Sequence, residues 1–435
     1  MAIPNPLELL QTLIRFDTTN PPGNEITCIQ YIDRVLQEAG IDTQLIARDP
    51  NRPNLIARLP GRGEAPPLLW QGHVDVVTVE GQTWTHPPFD AVIADGYIWG
   101  RGTIDMKGGV TMMISAMLRA KQDGIVPAGD IILCVLADEE NTASFGAKFL
   151  VKEHPELFTG VKYALSEFGG VNTSIAGQKF YPIQIAEKRG VHLVASLSGP
   201  GGHASGIFRG DIMANTGALL NQLDQLHMPV IPTPAVEIML KAIAEHLAFP
   251  AKAVIRNLLN PTLAPAIFQL AQSAVGSLEP LLRHTINATM IRGGIKRNVI
   301  PSKIDLEFDV RLLPGISTDS FLAILQRELN TTAEFTVLSE GPIAPAPNMG
   351  MFDLLAGILS ESDPSGIPIP FVLQAVTDAR FFNQLGIQTY GFTPMQLPPE
   401  LNFAALPHAA DERIPVEAVD YGTAAYIEVA KRYRG

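Results

Sequence analysis

Cysteine is nearly absent from this chain. Only Cys28 and Cys134 occur among 435 residues. One falls in a helical pattern and the other in a buried-strand pattern, so neither points to a disulfide framework. Basic charge is also scarce: 32 Lys and Arg stand against 44 Asp and Glu, a formal net charge of −12. Nucleic acid and anionic membranes both favour a basic surface, so neither is expected as a partner. No apolar run approaches the ~20 residues needed to span a bilayer. The opening stretch MAIPNPLELLQTLIRF lacks the charged-then-apolar layout of a signal peptide. A soluble, cytoplasmic protein is the expectation. Several catalytic signatures are missing too. There is no Gly-X-Ser-X-Gly elbow, which argues against a serine hydrolase, and neither a P-loop nor an HExxH helix.

What is present is a folded composition, 46% hydrophobic and 17% charged, in a chain too long for one simple core. Residues 5–39 read as two amphipathic helices parted by the loop Thr18–Gly23. Strand-like runs follow at Thr43–Ala47, Asn54–Leu59, Leu68–Trp70, Ile131–Leu136 and Tyr163–Leu165, with helices expected at Gly108–Lys121 and Ser144–Glu153. Strands alternating with helices predict an α/β domain with a mixed, mainly parallel sheet and helices on both faces. Near Lys188 the pattern changes. Val191–Leu197 and the alternating Ile304, Leu306, Phe308, Val310 and Leu312 read as strands, Ile212–Leu226 and Phe321–Leu329 as helices, and Phe335–Leu338 as a strand. After the Pro-rich stretch 342–347 the α/β character returns and ends in a long helix with Pro415 in its first turn. The expected organisation is one discontinuous domain, 1–187 and 343–435. A smaller α+β domain at 188–342 interrupts it, with a helix-rich insertion at about 236–285.

The carboxylates fall in a repeated layout. Leu68–Trp70 runs into His73 and Asp75, Ile131–Leu136 into Asp138-Glu139-Glu140, and Tyr163–Leu165 into Glu167. Between them, WGRGTIDMKGG carries Asp105 from a turn into a helix. Strand ends of an open parallel sheet converge on one edge, where ligands bind. Clustered carboxylates repel, so a positive group must hold them. A pair of divalent metals does this economically. Imidazole and carboxylate donors without cysteine suit zinc, manganese or cobalt. Each piece alone has a plain structural reading: a hydrogen-bonded His-X-Asp pair, a solvated helix start at Glu139-Glu140, an N-cap at Asp105. Together they are far more specific.

These stretches resemble a family of dinuclear zinc metallopeptidases that includes aminoacylase, glutamate carboxypeptidase and succinyl-diaminopimelate desuccinylase. The resemblance is carried by GHVDVV, the stretch from Trp84 to Gly109, ADEEN, SEFGG, GPGGHAS, RNVIP, TDARFF and PHAADER. It implies that His73 and Glu167 bind one metal, His408 and Glu140 the other, and that Asp105 bridges both. Asp75 would orient His73 through its second ring nitrogen, and Glu139 would act as general base. His203 would stabilise the oxyanion, though a loop histidine packed by glycines is the plain alternative. Asn298, Arg311 and Arg380 would contact substrate, with Arg311 gripping a carboxylate unless it is merely an exposed strand charge. The interruption matches the family's ferredoxin-like lid, often a homodimer contact. The activity implied is hydrolysis of the amide before a C-terminal amino acid with a free carboxylate, in a small peptide or N-acyl amino acid. Zinc is the first choice of metal, cobalt or manganese the alternatives. Desuccinylase or acetylornithine deacetylase activity is the runner-up. A non-catalytic metal-binding relative is the contrasting class.

Overall fold

The computed structural model describes residues 3–435. The chain divides into two compact units: Met1–Ile185 with Pro347–Phe371 and Thr377–Gly435, and Ala186–Ala346 with Val372–Val376.

The first unit is built on a nine-stranded sheet. Its path runs Asp42–Ile46, Asn54–Leu59, Ile131–Leu136, Leu68–His73, Tyr163–Ser166, Gln388–Gly391, Gln178–Glu187 and Ile367–Leu373, and Thr173–Ile175 pairs beside it. The pairings among Ile131–Leu136, Leu68–His73, Tyr163–Ser166 and Gln388–Gly391 are parallel; those of Asn54–Leu59 are antiparallel. Every residue of Leu68–His73 and Ile131–Leu136 is buried. Strands buried on both sides read as continuous apolar runs because helices cover both faces. On one face Trp70 meets Tyr426 edge-on, ring centroids 4.9 Å apart, beneath helices Lys107–Gln122 and Val416–Arg432. On the other, Leu69, Ile132, Cys134 and Leu136 pack with Phe149 and Leu150 of helix Ala147–Glu153 and with Phe381 and Phe382. No helix among the described residues is long and apolar enough to cross a membrane.

Two local expectations need correction. The helix expected from Ser144 begins at Ala147. The Asp138 carboxylate accepts from Thr142 Oγ1 and from the Phe145 N–H and so holds this stretch as a turn. Pro415 closes the short strand Arg413–Pro415 in extended conformation, and the last helix starts one residue later.

The second unit carries a four-stranded antiparallel sheet in the order Thr285–Gly293, Lys303–Leu312, Arg189–Ser198, Glu334–Glu340. Helices Ile212–Asp224 and Thr318–Glu328 pack on its apolar face, over Val191, Leu193, Ile304, Leu306 and Phe308. The chain order β-α-β-β-α-β with this strand order is the ferredoxin-like arrangement. Helices from Pro234–Glu245 to Glu279–Leu282 interrupt it between its first helix and second strand.

Candidate metal centre

Register brings the carboxylates together. In the parallel pairing His73 lies opposite Leu136 and Trp70 opposite Leu165. The residues just past those strands, Glu139-Glu140 and Glu167, therefore emerge at the edge where His73 ends its strand. Asp105 reaches the same place from the turn before helix Lys107–Gln122, and the Asp105–Met106 peptide is cis. His408 arrives from the far end of the chain.

The donors form two groups that share one residue. His73 Nε2 lies 3.1 Å from Asp105 Oδ1 and 3.6 Å from Glu167 Oε2. His408 Nε2 lies 3.2 Å from Asp105 Oδ2 and 3.2 Å from Glu140 Oε2. In each group the donor atoms all fall within 4.8 Å of one another. Asp105 thus gives one oxygen to each side. Glu140 Oε1 and Glu167 Oε2 are buried with no hydrogen-bond partner, atoms a metal would satisfy. The donor chemistry, imidazole nitrogen and carboxylate oxygen, fits divalent zinc, manganese or cobalt.

Opposite charge holds the set together. Burial works against charge on His73, but Asp105, Asp75 and Glu167 keep its pKa well above the ordinary value. Hydrogen bonds to Asp105 and Glu140 raise His408 to about 10. Burial alone would raise Asp105, yet the bonds from His408 and His73 hold it below the usual carboxylate range. Burial pushes Glu167 up to about 8.

Asp75 meets the second ring nitrogen of His73 through two groups. His73 Nδ1 donates to the Asp75 backbone carbonyl at 2.9 Å, while the nearest Asp75 carboxylate oxygen is 3.5 Å away. The carbonyl therefore fixes the tautomer that turns Nε2 toward Asp105. The carboxylate accepts from the backbone N–H groups of Glu139 and Glu140, at 3.2 and 3.1 Å, and from Asn20 Nδ2 at 2.8 Å. It braces the loop that presents both glutamates. Glu139 is half-buried; burial, then the charges of Glu167 and Asp378, push its carboxyl well above the ordinary value.

Arg380 sits in this unit on helix Ala379–Phe382, its guanidinium 4.8 Å from the Phe381 ring centroid. The other three candidates belong to the second unit. His203 is exposed on the two-residue strand Gly202–His203, which pairs with Val299–Ile300. Asn298, also exposed, precedes that partner strand, and its carbonyl accepts from Ala204 N at 3.0 Å. Arg311 is bound through Nε and Nη2 to Asp309 of its own strand, at 2.7 and 2.8 Å.

Several residues carry weight that sequence reasoning missed. Asp378 is 1% exposed with neither carboxylate oxygen partnered, and burial pushes it up to about 7. Glu412 accepts from the backbone N–H groups of Gly102, Ile104 and Asp105. Arg52 joins Asp138 to Glu25 in a buried ion-pair chain that Asn20 extends to Asp75. Asp378 and Glu412 lie inside motifs already singled out, TDARFF and PHAADER. Asn20 and Arg52 carry no such signal.

Comparison with known proteins places this geometry. The model of peptidase family M20/M25/M40 matches residues 69–432. Probable carboxypeptidase S-like 2 of Dictyostelium discoideum is 28% identical over 81% of this chain and 68% of its own length. Aminoacylase-1 of Mus musculus is 26% identical over 90% and 88%. The crystal structure of an M20 family metallo-carboxypeptidase from Sulfolobus solfataricus superposes with a TM-score of 0.72 over 99% of each chain, at 16% identity, a likeness of fold. With most of the α/β unit and both metal-donor groups inside the matched span, the chain belongs to peptidase family M20/M25/M40 and is a hydrolytic enzyme.

Proposed function

We propose that the enzyme is a dinuclear metal-dependent amidohydrolase that cleaves the amide before a C-terminal amino acid bearing a free carboxylate. The observation that carries this is Asp105, whose two oxygens each face a separate His/Glu pair. His73, Asp105 and Glu167 would hold one ion, and His408, Asp105 and Glu140 the other, zinc first by donor chemistry. Bound there, the ions supply Lewis acidity that polarises the scissile carbonyl and acidifies water.

The chain's own residues do the proton work. A carboxyl with a raised pKa takes a proton readily and returns it, as a base and then acid must. That supports Glu139 as the group that accepts the proton of water and delivers it to the leaving nitrogen. His203 Nδ1 lies 2.8 Å from Ser205 Oγ and 3.3 Å from the Ser205 backbone N, so Ser205 engages Nδ1 and Nε2 is the nitrogen left to face a substrate. That supports His203 as a donor to the developing oxyanion. Arg311 is the reading for the substrate carboxylate, with Asp309 holding its guanidinium in place until then, and Asn298 and Arg380 as further substrate contacts. Carboxypeptidase and aminoacylase names among the relatives support the substrate class. Two buried free cysteines fit a reducing, cytoplasmic setting. The second unit is our reading of a lid and homodimer contact; its edge strand leaves Met290 and Ile291 exposed.

The test is a panel of N-acyl amino acids and dipeptides, each as free acid and C-terminal amide, with zinc, manganese and cobalt supplied separately. The expected result is turnover of acids and at least about a hundredfold loss on amides, the scale of a buried charged contact. Equal rates on both forms would remove the carboxylate from recognition.

A further inference from the structure

Four of the five metal-donor residues end a strand, follow one within four residues or stand just before a helix. His408 does not. It lies in an irregular segment, with left-handed backbone (φ 63) and a side chain 55% exposed. A non-glycine residue in that conformation persists only where neighbours over-determine it. Here the neighbours are polar and come from residues 82–105. The His408 carbonyl accepts from Gln82 Nε2 at 2.8 Å and from Arg101 Nη2 at 3.2 Å. Gln82 Oε1 accepts from the same Arg101 nitrogen at 2.9 Å and from Trp84 Nε1 at 3.1 Å. The Arg101 guanidinium lies 5.2 Å from the Trp84 ring centroid, and its Nη1 donates to Glu412 at 2.6 Å. Arg101 and Glu412 are almost wholly buried. Downstream, Asp411 accepts from the Thr85 N–H and hydroxyl, which pins the same segment again.

We propose that Gln82 and Arg101 are positioning residues that hold His408 against Asp105 and Glu140, so that the two donor groups bind metal with separable affinities. The inference rests on the two-metal reading above. Both residues grip the backbone of one donor, His408; Arg101 also holds Glu412 and through it Asp105, which serves both groups, so Gln82 is the more selective of the two. His73 and Glu167 take their positions from the sheet, and Asp105 from the N–H contacts to Glu412. Loosening the His408 carbonyl therefore disturbs one group and leaves the other formed.

The experiment titrates metal-stripped wild type, Gln82→Ala and Arg101→Lys with zinc against a chelating indicator, with His408→Ala as reference. Melting curves check that each variant folds. Arg101→Lys keeps the charge opposite Glu412 but loses the fork that reaches Gln82 and the His408 carbonyl. We expect wild type to take up two equivalents. In Gln82→Ala the equivalent that His408→Ala abolishes weakens about 10–100-fold, the range for outer-sphere partners of a metal ligand, and the other stays within about twofold; in Arg101→Lys the His408 equivalent weakens at least as much. Two equivalents with wild-type affinities in Gln82→Ala would overturn the positioning role. Equal weakening of both equivalents in Gln82→Ala would do the same, since it would mark a general structural effect. If Arg101→Lys does not fold, Gln82→Ala decides alone. Fewer than two equivalents in wild type would overturn the two-metal reading and this inference together.

Discussion

Glu139 and Glu140 are chain neighbours with opposite surroundings. The Glu140 carboxylate turns to His408, whereas Glu139 is left among negative charge from Glu167 and Asp378. Replacing Glu139 with Gln keeps the size and removes the base. Metal content should stay at the wild-type value while kcat falls about a hundredfold to ten-thousandfold, the usual contribution of a general base. Turnover near wild type would assign the proton transfer elsewhere. At this scale the sequence is most legible where residue type implies chemistry. His73, Asp105, Glu140, Glu167 and His408 are unusual residues to bury or to cluster, and each belongs to a readable motif. The spacing of Asp75 points to His73 but leaves open which Asp75 group meets the ring. A two-residue interval shows that Asp75 and His73 share a side of the strand, but not that the backbone carbonyl reaches Nδ1 first. Asn20 is invisible for a different reason: a single amide in a loop looks like any turn residue until its partners, Asp75 and Asp138, are brought to it.

At the scale of elements, the turn before helix Lys107–Gln122 matters most, because it presents Asp105. A Cβ on Gly108 would stand 2.1 Å from the Thr103 carbonyl oxygen, a backbone atom that cannot step aside without moving the turn. Gly108→Ala should cost about 1–3 kcal/mol of stability, the range for overpacking, and should also weaken zinc binding. Thermal melting and zinc titration on one preparation check both, and a wild-type melting curve would show that the turn yields freely. Elements with a strong pattern are legible in advance, such as the unbroken apolar run Ile131–Leu136 and the alternating Lys303–Leu312. Gln178–Glu187 is not, although it is ten residues long. It carries Pro182 mid-strand and mixed polarity, and its identity as a strand comes from sheet partners remote in sequence. The late start of helix Ala147–Glu153 is hidden for a related reason. It depends on Asp138, whose carboxylate competes for the backbone the helix would otherwise use.

Across the whole molecule, the acidic excess and the buried ionisable groups make stability depend on pH. His284 is 2% exposed, and its Nδ1 accepts from the Leu313 N–H at 3.1 Å. Burial, helped by Lys188, lowers its pKa from 6.5 to about 4. The unfolded chain therefore binds a proton that the folded one refuses between those values. The stabilisation is present above about pH 6.5 and is lost progressively toward pH 4, roughly 3 kcal/mol in all by linkage. His284→Gln should flatten that part of the melting-temperature profile relative to wild type; parallel profiles would show that other groups set the acid response.

The contact between Arg101 and the His408 carbonyl joins residues 307 apart in sequence. During synthesis, His73, Asp105, Glu140 and Glu167 all leave the ribosome long before His408 is made. An unfinished chain thus carries a crowded acidic pocket lacking one of its two compensating imidazoles. Such contacts are also among the slowest to form in refolding, because the loop they close is so long. A chain cut short before residue 408 keeps Asp105, Glu140 and Glu167 but lacks the imidazole that faces Asp105 and Glu140.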